Sequence, residues 1–219
     1  VDRRVSLVLD QVSIGLGATW LVERFSVTID RGETVTLMGA SGSGKSSLLA
    51  FIAGDLPPPL RAQGRVTLDG ADILHLPPEA RHIGRLFQDD LLFPHLTVLG
   101  NLLFGMARGD RQAREARARA ALEDAELEAF AARLPHTLSG GQRARIALLR
   151  ALLAEPRAIL LDEPFAKLDA PLRASIRKYT FARIAAQGIP ALLVTHDAGD
   201  APPKGRVFHI ERGGKVRHA

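Results

Sequence analysis

Gly39-Ala40-Ser41-Gly42-Ser43-Gly44-Lys45-Ser46 is the stretch that decides the reading of this chain. It is a full G-x-x-x-x-G-K-[ST] pattern, the signature of a loop that cradles phosphate. The residues before it, Glu33-Thr34-Val35-Thr36-Leu37-Met38, read as a buried strand, and Ser47-Leu48-Leu49-Ala50-Phe51-Ile52-Ala53 after it read as the first turns of a helix. Strand, glycine-rich loop and helix are the setting the pattern needs. Glycines let the backbone curl so that several N–H groups face one anion, and the helix N-terminus adds partial positive charge. Lys45 can reach the outer phosphates, and the Ser46 hydroxyl is placed for Mg²⁺.

Around this stretch, the bulk properties narrow the class. A chain of 219 residues makes one large domain, or a core with an inserted subdomain, and can bury a sizeable core without staples. It has no cysteine, which excludes disulfides and thiolate metal sites. Its apolar runs are far shorter than a membrane span and no signal segment opens it, so a cytoplasmic protein is expected, with any membrane role exercised through a partner. A net charge of +5 and a pI of about 10.2 raise the question of nucleic acid. Arginines are spaced with alanines, acids are interleaved and there is no basic run, so no nucleic-acid partner is expected.

Taken in order, Val5 to Val12 and Phe25 to Ile29 read as strands of a hairpin turning at Gly15-Leu16-Gly17. Trp20, the single tryptophan, either stacks on an adenine ring or covers the hairpin core. Asp55-Leu56-Pro57-Pro58-Pro59 ends the loop helix. Strand-like runs follow at Arg65 to Leu68 and within Arg81 to Phe87. Thr97 reads as the N-cap of a helix from Val98 to about Met106, and residues 110–133 as one alanine-rich helix whose charge order opposes its dipole. Leu138-Ser139-Gly140-Gly141-Gln142 precedes a helix from Arg143 to Ala154, and Ser139 followed by two glycines is a second anion nest. Ala158 to Leu161 and Ala191 to Val194 are short buried strands, and a hairpin around Gly213-Gly214 closes the chain. Apolar strands alternating with helices predict an α/β fold with a mainly parallel sheet, its polar strand ends gathered in one crevice at the phosphate loop.

Those strand ends carry the candidate chemistry. Asp162 can hold Mg²⁺ directly or through water, and Glu163 can polarise an attacking water and accept its proton. His196 can hydrogen-bond a terminal phosphate, and Gln88 can touch both metal and water. Each is unremarkable alone; their placement after apolar strands gives them value together.

The order of phosphate loop, Gln88, Leu138 to Gln142, Asp162-Glu163, Ala166 to Asp169 and His196 resembles the ABC-type ATPases, the nucleotide-binding subunits of ATP-binding-cassette transporters. Leu138 to Gln142 carries most of the specificity. The resemblance implies a P-loop NTPase core with an antiparallel β part, spanning 1–88 and 157–219. It also implies an inserted helical subdomain at 89–156. It implies ATP and Mg²⁺ bound by Gly39, Ala40, Ser41, Gly42, Ser43, Gly44, Lys45, Ser46 and Ser47, with the metal at Ser46, Gln88 and Asp162. Lys45, Gln88, Glu163 and His196 take the catalytic roles. Ser139, Gly140, Gly141, Gln142 and Asp169 would close on the ATP of a second copy in a head-to-tail homodimer.

Two departures stand out. The adenine-stacking aromatic of the family is replaced by Leu16, with Trp20 nearby, and either could meet the base. The loop at Ala166 lacks the usual serine, which predicts altered coupling rather than inactivity. Gln88 to Phe93 and Ser139 to Ala154 resemble bacterial importer subunits. This implies integral membrane permease partners, an extracytoplasmic solute-binding protein and a place on the cytoplasmic face of the membrane. The apolar run Leu91 to Leu96 serves permease docking or packs the helical part. The rival roles are an ATPase for lipoprotein release or cell division, and a chromosome or repair ATPase. The latter needs a coiled-coil or zinc insertion that the chain lacks. Ala166-Lys167-Leu168-Asp169 lacks the asparagine of a guanine-reading motif.

Overall fold

The computed structural model describes residues 6–219. Val5, expected to open the first strand, lies outside the described residues. The strands are β1 Ser6–Leu16, β2 Thr19–Asp30, β3 Thr34–Met38, β4 Leu60–Leu68, β5 Ala71–Asp72, β6 Ile83–Leu86, β7 Ala158–Asp162, β8 Ala191–Thr195, β9 Val207–Ile210 and β10 Val216–His218. The helices are α1 Lys45–Ala53, α2 Val98–Gly105, α3 Arg111–Asp124, α4 Gly140–Leu153 and α5 Ala170–Gln187. Two compact units emerge. One holds the residues up to Arg85 with Arg157–Glu163 and Phe181–Ala219; the other holds Leu86–Pro156 and Pro164–Thr180.

The first unit is built on two sheets. An antiparallel sheet runs β2-β1-β4-β5, and a six-stranded sheet runs β10-β9-β3-β8-β7-β6. In the larger sheet β3 lies parallel to β8 and β9, and β7 parallel to β8, while β9 and β10 form the closing hairpin. Every residue of β3 and β8 is buried, as are the first four of β7, which is why these segments read as unbroken apolar or threonine-rich runs without alternation. The core joins Leu37, Leu160, Leu192 and Val194 of the sheet to Leu48, Leu49 and Ile52 of α1, and to Leu9, Ile14 and Ile29 of the hairpin.

Local sequence placed some boundaries short. Gly15 and Leu16, expected in the turn, are still paired with Trp20 and Thr19, so the hairpin turns on Gly17-Ala18 with Gly17 at φ 56°. β4 begins at Leu60 rather than Arg65: Leu60 and Ala62 alternate with exposed Arg61 and Gln63 and pack against the core, but Gly64 interrupts the pattern just before Arg65. Gly64, at φ 109°, lets β4 press on β1: a Cβ there would lie 2.6 Å from the Gln11 carbonyl oxygen.

α1 ends at Gly54 in the left-handed conformation (φ 93°). Two carbonyls of its last turn are met by Arg81, which lies just before β6 and is 7% exposed. The guanidinium donates to the Phe51 and Ile52 carbonyls, both at 2.9 Å, and to Leu74 and Leu76 at 3.0 and 2.9 Å. A buried cation is tolerated here because helix-end dipoles solvate it.

In the second unit α2, α3 and α4 pack on one another, and Leu102, Leu122, Ile146 and Leu149 are buried there. Thr97 caps α2 as expected, accepting from Gly100 N–H at 3.1 Å. The expected single helix over 110–133 is not formed: α3 stops at Asp124, and Glu126 adopts φ 59°. Glu126 and Glu128 thus fall outside the helix, so fewer acids face its negative end than the sequence implied. α4 starts at Gly140, three residues before the expected Arg143, because Ser139 and Gln142 form a reciprocal capping box. α5 had no counterpart in the sequence reading; Asp169 accepts from Leu172 N–H at 3.0 Å in its first turn.

Arg81→Met should lower the urea-unfolding free energy by about 2–4 kcal/mol, since it removes the guanidinium's hydrogen bonds to four carbonyls. A loss under about 0.5 kcal/mol would show that water replaces the guanidinium.

Candidate active site

Strand register brings the chemistry to one edge. Met38 lies opposite Thr195 in the β3–β8 pair, and Asp162 lies opposite Val194 in the β7–β8 pair. The residues that follow, Gly39, His196 and Glu163, therefore leave the sheet at the same end.

The loop from Gly39 to Gly44 is shaped by steric demands. Gly42 and Gly44 have φ 78° and 91°, and a Cβ on Gly44 would lie 2.7 Å from Leu21 Cβ. A Cβ on Gly39 would lie 2.7 Å from Ser43 Oγ, itself buried without a hydrogen-bond partner among the described residues. Lys45 opens α1 and is 4% exposed. Its ammonium donates to the Gly39 and Ala40 carbonyls at 2.7 and 2.9 Å and lies 3.8 Å from Glu163 Oε1. The loop thus wraps its own lysine.

Ser46 Oγ donates to Asp162 Oδ1 at 2.9 Å. Glu163 sits one residue on with φ 46°, an unfavourable conformation for a side chain of this size, and its N–H donates to the Val194 carbonyl at 3.0 Å. Its Oε2 is 2.9 Å from His196 Nδ1. Lys45, Glu163 and His196 form one chain of polar contacts, with Ser46 and Asp162 beside it. The sequence reading passed over Arg85 of β6, whose Nη2 is 4.0 Å from Asp162 Oδ2 and whose Nη1 donates to Asp55 at 2.6 Å. Arginine in a strand-like run gave no signal.

Burial pushes the Asp162 carboxyl above the ordinary carboxylate range, against the Ser46 hydrogen bond and the Arg85 cation, which pull it down. Burial likewise lowers the Lys45 ammonium, opposed by Glu163 and Asp162. Both charges are held where desolvation disfavours them, as suits a site built to meet charged ligands.

The remaining sequence-derived residues are in the hairpin or the second unit. Trp20 carries the Arg61 guanidinium 4.3 Å from its ring centroid, while Leu16 is 46% exposed. Gln88 lines a cavity of about 230 Å³ with Asp90, Gly140, Arg143, Phe165 and Lys167. Ser139 Oγ accepts from Gln142 N–H at 3.3 Å and Gln142 Oε1 accepts from Ser139 N–H at 2.8 Å; the box does not use the N–H groups of Gly140 and Gly141. Gly141 has no room for a side chain, since a Cβ would lie 2.5 Å from Leu172. Around the cavity Arg143 pairs with Asp90 at 2.8 Å, and Lys167 pairs with Asp89. Asn101 was also missed. Fully buried, it accepts from Phe93 N–H and donates to the Phe93, Leu96 and Thr97 carbonyls, holding the segment after Gln88 in shape.

A family model described as ABC transporter matches residues 22–166. The chain belongs to this family and is an ATP-binding, ATP-hydrolysing subunit of an ABC transporter. It is 45% identical, over 93% of its length and 94% of the relative's, to the uncharacterized ABC transporter ATP-binding protein YnjD of Escherichia coli. It is 42% identical to the thiamine import ATP-binding protein ThiQ of Shigella boydii, over 84% of this chain and 80% of that one. Its structure resembles the ATP-binding cassette MJ0796, solved as a dimer in a post-hydrolysis state with ADP and Pi. The TM-score is 0.79 and the identity 33%, covering 97% of both chains.

The raised Asp162 carboxyl fixes a pH sign. The folded state binds the extra proton between the ordinary carboxylate value of 3.8 and the elevated one, so stability falls as pH rises through that window and stays lowered above it. Asp162→Asn, which carries no charge to desolvate, should melt at a higher temperature than the parent near neutral pH without nucleotide. The gap should close as pH drops to about 4. Equal melting at neutral pH would show that Arg85 and Ser46 fully offset the burial.

Proposed function

We propose that this chain is the ATPase subunit of a bacterial importer, working on the cytoplasmic face of the membrane as an ATP-dependent head-to-tail homodimer. Integral permease subunits and an extracytoplasmic solute-binding protein complete the system. The observation that carries the reading is the convergence of Lys45, Ser46, Asp162, Glu163 and His196 on one sheet edge behind a glycine-rich loop. The thiamine import relative supports an import role, and the dimeric cassette supports pairing. No helix among the described residues is long and apolar enough to cross a membrane, which agrees with transport through partner subunits.

The residues divide the work. Gly39 to Ser47 bind the phosphates, and Lys45 exchanges its contacts with the Gly39 and Ala40 carbonyls for the more charged phosphate oxygens. This frees Glu163 from its ammonium partner, and Glu163 accepts the proton of the attacking water. His196, already 2.9 Å from Glu163, holds that carboxylate in place and takes up the terminal phosphate. Ser46 and Asp162 present two oxygens 2.9 Å apart, a hard donor set that fits Mg²⁺; Gln88 is assigned to the metal by the family resemblance alone. When bound, Mg²⁺ neutralises charge on the transferring phosphate. Leu16 or Trp20 meets the base. Ser139, Gly140, Gly141, Gln142 and Asp169 face the nucleotide of the second copy, with the N–H groups of Gly140 and Gly141 as the donors the capping box does not use.

The ATP-binding core takes 1–88 and 157–219, and 89–156 forms the helical subdomain that meets the permease. Leu91 and Phe104 are 53% and 65% exposed, and Phe104 packs against Phe93 at 4.4 Å between ring centroids. An exposed Phe104 ring backed by the half-buried Phe93 suits an apolar helix of a membrane partner.

Glu163→Gln should keep ATP binding and lose turnover by at least about a hundredfold. Light scattering with Mg·ATP should show this variant passing from monomer to dimer. Unchanged hydrolysis would remove Glu163 from the role of base, and an ATP-bound monomer would remove the trans role of Ser139 to Gln142 in the isolated subunit.

A further inference from the structure

We propose that Arg85 is a resident counter-cation of Asp162 and sets how strongly the site takes a divalent cation. The proposal rests on reading Ser46 and Asp162 as the ligands of that cation. Arg85 is the penultimate residue of β6, which neighbours β7 in the sheet, so its side chain reaches the β7 end where Asp162 stands. It is 14% exposed and therefore held, unlike a surface arginine sampling solvent.

The two oxygens of Asp162 have different partners. Oδ1 accepts from Ser46, the hydroxyl expected to share the metal, and Oδ2 faces the Arg85 guanidinium at 4.0 Å. A divalent cation arriving at this carboxylate meets an attraction already partly satisfied and a positive neighbour that cannot deprotonate. The other cation near Asp162, Lys45, is committed to Glu163 and to the loop carbonyls, so Arg85 is the charge with Asp162 as its partner on the metal side.

The guanidinium is also shared. Its Nη1 donates to Asp55 at 2.6 Å, much closer than Nη2 lies to Asp162. Asp55 follows Gly54, the C-cap of α1, and is half-exposed. Asp55 and Asp162 thus pull on opposite edges of one planar fork. Asp55 moderates the hold of Arg85 on Asp162, and removing it should release Arg85 toward the metal side. Arg85 is a positioning residue in this scheme, acting on cation affinity through Asp162.

The test uses the full chain in a Glu163→Gln background, where ATP is not turned over, and follows Mn²⁺ binding at fixed ATP by electron paramagnetic resonance. Arg85→Met should tighten the apparent Kd for Mn²⁺ by about three- to tenfold. Arg85→Lys should stay within about twofold of the parent, because the charge remains. Asp55→Asn should weaken Mn²⁺ binding by about twofold or more. Opposite signs for Arg85→Met and Asp55→Asn cannot come from a shared loss of stability. Unchanged or weaker binding in Arg85→Met, or a shift in the same direction for both, overturns the proposal. Asp162→Asn separates the two levels: if it leaves Mn²⁺ binding intact, the metal-site reading itself falls. If it abolishes binding while Arg85→Met has no effect, only the role of Arg85 falls.

Discussion

The parallel pairing of β3, β7 and β8 is the constraint on which the site depends. Hydrogen bonds between these strands set Met38 level with Thr195 and Asp162 level with Val194, so the residues after them emerge at the same end of the sheet. A one-residue slip of β7 would turn Asp162 to the other side of the sheet and break its bond to Ser46. The slip is resisted by burial, since almost every residue of the three strands is enclosed. The hydrophobic interior thus sets the position of polar groups that take no part in it.

Three buried or half-buried cations are met by main-chain oxygen. Lys45 is wrapped by the carbonyls of its own loop, and Arg81 by the end of α1. In the second unit Arg150 donates to the Leu91 and Asp90 carbonyls, and burial lowers its guanidinium below the ordinary arginine value. The roles differ despite the common chemistry. Arg81 has four carbonyl partners and no ligand to meet, so it is structural. Lys45 has two carbonyls and a long contact to Glu163, an arrangement that a triphosphate can outbid. Arg150 anchors α4 to the segment after Gln88, within the unit that carries both Gln88 and the Ser139 capping box.

Glu163 shows where the fold accepts strain. A left-handed backbone at a non-glycine residue costs on the order of 1 kcal/mol, and it is set here by the Val194 carbonyl and the two partners of the carboxylate. That conformation turns the chain between Asp162 and Pro164, separating the directions of two adjacent carboxylates. One meets a hydroxyl and an arginine; the other meets a lysine and a histidine.

The sequence by itself determined the phosphate loop, the buried strands around it, the α/β class with its antiparallel part and the family. These follow from local rules: a glycine pattern between strand and helix, apolar runs for strands buried on both faces, and a serine cap before two glycines. It did not determine α5, the stop of α3 at Asp124, the outer half of β4, or the work of Arg81, Arg85 and Asn101. Packing rather than propensity ends helices such as α3, and the short alternation of Leu60 to Gln63 is broken at Gly64. Asn101 acts on the nearby segment Phe93 to Thr97, whereas the two arginines act through partners distant in the chain. Arg81 meets Phe51, and Arg85 meets Asp55 and Asp162. Such contacts exist only once the sheet is assembled, because strand order is a property of the whole chain and not of any stretch in it.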